Sequence, residues 1–357
     1  VVWSTYREVM RLAVARSAGV MHGPAPLPFV AAEYSPAAID SSRPLARQLS
    51  LQIEFPTWEP QLKKMVARLA VPLLVLPRWC VGAPWWLVFV AHEVGHRLTR
   101  QLELFAPLAQ ALDAAVTAAT GCARAGAAWK KWTEEIVADA WSLALVGPGG
   151  VEALGEVELG SPLDVRTSTS EYPSPVLRLA VLCRLSTRLG LGAPALPPDL
   201  QLDAETTNTP SEARDAAIDA VAASLLGPLP RGLGTIETLA ALDAKLLSGG
   251  VTYWKNNIGA RPLAAAATLE APRQVAAGTF RAWLDMGAAA ADVEGHAALA
   301  TQLADDALVI LGAAGPPGER ASQQPGGESV ETARDLAELL LALSTNRAPD
   351  VATALGS

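Results

Sequence analysis

Two of the four histidines in this 357-residue chain stand four apart, in the run His92-Glu93-Val94-Gly95-His96. Side chains four apart project from one face of a helix, so both imidazoles can reach a single cation. Imidazole suits zinc, and the carboxylate of Glu93 beside them is placed to act as a general base on a water at the metal. A catalytic zinc site needs a third protein ligand and an open position for water. No later histidine lies at a suitable spacing, so a carboxylate must serve. The run Glu134-Glu135-Ile136-Val137-Ala138-Asp139 offers Glu135 and Asp139, again four apart. One of them can ligate while the other accepts a hydrogen bond from the free N–H of a ligand histidine and so fixes its tautomer. Glu134 reads as a solvated acidic residue near the start of a helix, where the helix dipole favours it.

Other chemistries find less support. His22 sits in a Gly/Pro loop and His296 in an Ala-rich helix, and both read as structural or exposed. Trp85 and Trp86 either line a cleft or pack the core ahead of the active helix. There is no GxxxxGK[ST] element and no dinucleotide-binding glycine pattern, so nothing points to a nucleotide. Gly121-Cys122 has no neighbouring histidine to activate a thiol. The net charge of −8 and pI near 5.2 argue against a nucleic-acid partner. The charge is uneven, with 18 basic against 16 acidic side chains over residues 1–190 and 10 against 20 over 191–357. The C-terminal part therefore presents the acidity, which would suit a basic protein partner.

The elements that must position these residues are mostly helical. Half the residues are hydrophobic and about a fifth are alanine, the best helix former. Residues 3–18 place Tyr6, Val9, Met10 and Ala13 on one face of a helix, and a Pro-rich connector follows at 23–28. A helix is expected over 60–69, then a short apolar strand at 71–77 between prolines, then a long helix from Pro84 through the histidine motif. Helices follow at 104–121 and 129–146, the second ended by Gly147-Pro148-Gly149-Gly150. A loop at 160–175 leads through Pro175 into a helix closed by Gly190. Residues 191–210 read as a linker, and further helices are expected near 211–226, 234–247, 271–290, 296–312 and 329–345. The stretch 315–328 is low in complexity and expected to be flexible.

Three scattered cysteines, Cys80, Cys122 and Cys183, read as reduced thiols and not as a disulfide framework. The apolar stretch at 71–90 is broken by Pro72, Pro77, Arg78 and Pro84, so no membrane span is expected. No basic segment followed by an apolar one stands at the start of the sequence, so no signal peptide is expected. The expectation is a soluble, cytoplasmic protein.

HEVGH followed by EIVAD resembles the gluzincin zinc metallopeptidases, most closely the CAAX-protease and HtpX-like heat-shock-protease branch. The resemblance covers about residues 60–190. It implies a mainly α, zincin-like core with a short edge strand or small sheet, and the activity of a zinc-dependent endopeptidase on protein or peptide substrates. By this resemblance His92, His96 and Glu135 are the zinc ligands, Glu93 is the base, and Asp139 is the acid that hydrogen-bonds a ligand histidine. The family has a His-Pro element where this chain has Tyr172-Pro173, a departure that makes Tyr172 the candidate donor to the oxyanion. Arg178 is then expected to hold Asp139 or Glu135 in place. The organisation implied is an N-terminal helical segment at 1–59, the metallopeptidase core at 60–190, the linker at 191–210 and a helical C-terminal region at 211–357. A substrate could lie along the 71–76 strand by strand addition. The alternative is an interaction or regulatory subunit of a larger assembly, with a structural or conditionally active metallopeptidase core.

Overall fold

The computed structural model describes residues 1–17, 19–20, 23, 25–31, 37–39, 72–77, 79–158, 164–170, 172–197, 200, 211–259, 271–289 and 293–313. The chain divides into one compact unit of Val1–Ala38 with Leu74–Gly315 and a second of Ile39–Leu73 with Pro316–Ser357. The second falls almost wholly outside the described residues. So do His22, the helix expected at 60–69, the low-complexity stretch, the helix expected at 329–345 and most of the 191–210 linker.

The fold is mainly helical, as the composition requires. Helix α1 (Val2–Arg16) buries Tyr6, Val9, Met10 and Ala13, the face its apolar spacing predicts. Three short strands, β1 (Leu27–Ala31), β2 (Ala37–Ile39) and β3 (Leu73–Pro77), form a sheet in the order β1-β3-β2. The apolar run at 71–77 is thus the central strand, not an edge. Leu74, Val75 and Leu76 are all buried, as expected of a strand covered on both faces. With both its edges paired, this strand leaves no place for a peptide to add alongside it.

The long helix expected from Pro84 is divided. Residues Pro84–Phe89 form a 3₁₀ segment, α2 (Val90–Gln101) follows, and Glu103 adopts a left-handed φ of 53° where the chain turns. Helix α3 (Phe105–Thr120) then leaves at 100° to the preceding segment. Among the described residues no single helix is long and apolar enough to cross a membrane.

Helix α4 (Ala123–Val146) packs against α3 and α2. Its C-terminal breaker does end it, but a helix resumes at once as α5 (Pro148–Val157). Gly147 takes φ 73° and ψ −162°, a conformation open to glycine, and Pro148 supplies a preset φ at the first helical position. Helix α6 (Pro175–Arg188) begins with Pro175 and is capped by Ser174, whose Oγ accepts the Leu177 N–H.

Helices α7 (Ser211–Leu225), α8 (Ala244–Asn257), α9 (Ala271–Ala289) and α10 (Val293–Ala313) complete the described chain. The helix expected at 234–247 is replaced by a single turn at Ile236–Leu239 and by α8. Asp243 starts the latter by accepting the N–H groups of Lys245 and Leu246. These C-terminal helices do not stand apart as the expected boundary at 191–210 implied. Helix α7 packs on α3 and α6, and α9 packs on the 3₁₀ segment, α4 and α5. Their apolar faces, with Val221, Ala222, Val275, Ala277 and Phe280 fully buried, join the same hydrophobic core as α2 and α4.

Candidate metal centre

Two contacts fix the frame of the centre. At the start of α2, the rings of Trp85 and Trp283 stack at 5.7 Å, and Trp86 packs on Phe89, Phe280 and Trp283. The tryptophans ahead of the motif therefore serve packing, tying the N-terminal end of α2 to α9. Further along, Val90, Ala91, Val94 and Leu98 are buried at 0–1% exposure and seat the helix in the core. Gly95 lets it approach α4 closely: a Cβ there would lie 2.8 Å from the Ala138 carbonyl oxygen and 2.9 Å from the Ala138 Cα.

That approach sets the stripe His92, His96 and Arg100 of α2 against Glu134, Glu135 and Asp139 of α4. The Nε2 atoms of His92 and His96 are 3.1 Å apart. Glu135 closes the triangle, with Oε2 3.5 Å from His92 Nε2 and Oε1 3.7 Å from His96 Nε2. Among the described residues, His92, His96 and Glu135 form a group whose ligand atoms all lie within 4.8 Å of one another, and it can hold a metal ion.

The rest of the cluster orients these three. Asp139 Oδ1 lies 2.8 Å from His92 Nδ1, so His92 donates to Asp139 from Nδ1 and turns Nε2 toward His96 and Glu135. Arg178, buried at 5% exposure, donates from Nε to Asp139 Oδ2 at 2.5 Å and from Nη2 to Asp139 Oδ1 at 2.9 Å. Its Nη2 also reaches Glu135 Oε2 at 3.5 Å, and its Nη1 donates to Glu158 Oε1 at 2.9 Å. Arg178, the residue expected near Asp139 or Glu135, thus contacts both carboxylates. Glu158, at the C-terminal end of α5, gave no signal in the sequence. It reaches the centre only because α5 packs on α6.

The protonation states follow from this geometry. Burial works against a charged His92, but its hydrogen bonds to Asp139 and Glu135 and the Asp139 charge outweigh it, raising its pKa to about 10. Burial and the charge on His92 lower His96 to about 4. Two imidazole nitrogens 3.1 Å apart share one proton; a cation would replace it. Burial opposes the ionised form of Asp139 and Glu135, yet Arg178 and the histidines hold both below the usual carboxylate range. Burial has the upper hand at Glu158, whose carboxyl is raised despite Arg178.

The donor set fits a small tetrahedral cation on distances alone. Metal–ligand bonds of about 2.0–2.1 Å imply ligand–ligand separations of roughly 3.4 Å. The observed 3.1, 3.5 and 3.7 Å bracket that value. Compared with known proteins, the chain matches no family model, no curated protein and no solved structure. The centre therefore stands on its own geometry.

Of the remaining expected residues, Glu93 is buried at 8% exposure, and its charge adds to the rise in the His92 pKa. Tyr172 lies on a turn closed by the Thr169 N–H on the Tyr172 carbonyl and by the Tyr172 N–H on Thr169 Oγ1. Trp132, one turn before Glu135 on α4, anchors that turn by donating from Nε1 to the Thr169 carbonyl. The turn is thus tethered to α4, but Tyr172 is 46% exposed, not enclosed in the dry surroundings its role as a donor assumed. His296 lies on α10 and is not among the clustered ligands.

Proposed function

We propose that the chain is a zinc-dependent endopeptidase with a zincin-like core, in which His92, His96 and Glu135 hold the metal and Glu93 is the general base. The observation that carries this reading is the convergence of His92 Nε2, His96 Nε2 and the Glu135 carboxylate, with the far nitrogen of His92 already committed to Asp139. Three protein ligands leave a tetrahedral cation one position for water, the arrangement of a catalytic site; structural sites use four. The ion, when bound, supplies Lewis acidity toward a carbonyl oxygen and acidifies a water.

The chain's residues supply the rest. Glu93 lies one residue from a ligand and is largely withdrawn from solvent. Its carboxylate takes a proton from the attacking water and passes it to the leaving nitrogen as the C–N bond breaks. Asp139 holds the His92 ring through Nδ1, and Arg178 locks Asp139 by a two-point contact that a lysine could not reproduce. The resemblance of HEVGH and EIVAD to the gluzincins supports the same reading.

Elemental analysis of the purified, unchelated chain, paired with turnover of an unfolded protein substrate, tests this proposal. The expected result is about one zinc per chain, lost in His92→Ala and His96→Ala together with turnover. Glu93→Gln should keep the metal and lose about 10²–10⁴ in rate. Absence of any stoichiometric transition metal overturns the reading. Full metal with no turnover on any protein substrate favours a structural centre in an interaction subunit.

A further inference from the structure

Each ligand histidine has a second nitrogen that must find a partner, and the structure answers this for His92 with Asp139. For His96, Nδ1 is buried and makes no hydrogen bond. We propose that Glu134, held by Arg100, is the positioning residue that receives the Nδ1–H of His96 when the centre is loaded. This rests on the metal reading above and adds to it a residue that the sequence had placed in solvent.

The argument starts from the imidazole. A neutral ring has one N–H and one lone pair, so a cation on Nε2 forces the proton onto Nδ1. A buried N–H without an acceptor is costly, and metal-bound histidines usually hand that proton to a carboxylate or carbonyl. Glu134 Oε1 stands 3.8 Å from His96 Nδ1. That is beyond hydrogen-bond range, but a shift of about 1 Å in the Glu134 side chain closes it. The same oxygen accepts from Arg100 Nε at 3.1 Å and from Arg100 Nη2. Arg100 stands one helical turn past His96 on the same face of α2, so it brings the Glu134 carboxylate over that ring.

The two halves of the centre then follow one plan. His92 leans on Asp139, which Arg178 holds; His96 leans on Glu134, which Arg100 holds. The halves differ in burial: the Asp139 side chain is 3% exposed and the Glu134 side chain 37%. The contribution of Glu134 is accordingly expected to be smaller than that of Asp139.

Zinc affinity of the full chain, measured by competition with a chromogenic chelator, tests the proposal without relying on activity. Glu134→Ala should weaken Zn²⁺ binding by about tenfold, toward the low end of the usual 10–100-fold loss. Glu134→Gln, whose amide oxygen still accepts an N–H, should restore affinity to within about threefold. Arg100→Gln should weaken binding in the wild-type background and add nothing once Glu134 is alanine. In ¹⁵N-histidine spectra of the zinc-loaded chain, a slowly exchanging proton on His96 Nδ1 should become fast-exchanging in Glu134→Ala. If the wild type binds zinc and Glu134→Ala binds it equally well, the role of Glu134 is overturned and the metal centre stands. If the wild type binds no zinc, the metal reading falls and this inference with it.

Discussion

Gly95 on α2 and Ala138 on α4 touch where the two helices cross, and a Cβ on Gly95 would stand 2.8 Å from the Ala138 carbonyl oxygen. The neighbour is backbone, which cannot swing aside as a flexible side chain would. The glycine of HEVGH is therefore the residue that lets His92 and His96 reach Glu135.

Gly95→Ala should gain about 1 kcal/mol of helix propensity and lose more to the enforced separation of the helices. Overpacking of a close contact typically costs about 1–3 kcal/mol. The expected outcome is an unfolding free energy lower by about 1–2 kcal/mol and zinc affinity reduced by at least tenfold, because the Glu135 carboxylate is carried away with α4. Urea unfolding and chelator competition on the same preparation check both. A variant with wild-type affinity would show that α2 and α4 can separate without opening the ligand triangle.

Glu135 and Asp139 lie on one face of α4 but should behave differently. Glu135→Ala removes a proposed ligand and should abolish stoichiometric zinc. Asp139→Asn keeps the shape and can still accept from His92 Nδ1, but it gives up the charge that Arg178 and His92 share. Its affinity for zinc should fall by about 10–100-fold. Metal content after dialysis against a weak chelator distinguishes the two. Equal loss in both variants would mean that Asp139 ligates directly.

What could be read along the chain and what could not divides by the range of the interaction. His92 and His96, or Glu135 and Asp139, share a face through helix geometry alone, and α1 shows its buried face in the same way. The strand at Leu73–Pro77 was legible as a strand because its apolar run lies between prolines. Its central place was not, since that depends on strands beginning at Leu27 and Ala37. Glu158 belongs to the centre only through helix packing, and no local pattern marks it; Arg100 shares the face of the two histidines by spacing, but its partner Glu134 comes from packing. The partnership of Trp85 and Trp86 with Trp283, almost 200 residues on, was equally invisible. The Pro-rich composition near 191–210 suggested a boundary, yet packing of α7 and α9 onto α3, α4 and α5 overrides it.

Tyr172 is the oxyanion donor that the resemblance implies, and its exposure sets the size of the expected effect. A preorganised oxyanion donor in a closed site is worth about 10²–10³ in rate. A phenol 46% exposed to water competes with solvent, so Tyr172→Phe should lower kcat by only about tenfold, with zinc content and KM unchanged. An unchanged kcat would remove Tyr172 from the reaction and leave the oxyanion to a backbone N–H, since Arg178 is committed to Asp139, Glu135 and Glu158.

Glu152 gives the fold a dependence on pH that is separate from the metal centre. Its side chain, 1% exposed on α5, pairs with Arg281 Nε of α9 at 2.6 Å and accepts the Ala195 N–H at 2.8 Å. It thus joins the segment after α6 and a C-terminal helix to the middle of the chain. Burial pushes its carboxyl up from 4.5 to about 7, against the lowering influence of Arg281 and the Ala195 N–H. Between these two values the folded chain holds a proton that the unfolded chain has released. The associated stabilisation is therefore complete below about pH 4.5 and lost as the pH rises through 7, with an upper bound of about 3 kcal/mol. Glu152→Gln cannot titrate, so the stability of wild type minus variant should decline from pH 5 to pH 8. Arg281 is 31% exposed and can turn to water when its partner is neutral, so the variant should lose little at pH 8. Urea unfolding at pH 5, 6, 7 and 8, with metal removed from both proteins, measures that difference. A difference that stays flat, or grows with pH, would mean that Glu152 is ionised throughout and that its pair with Arg281 outweighs burial.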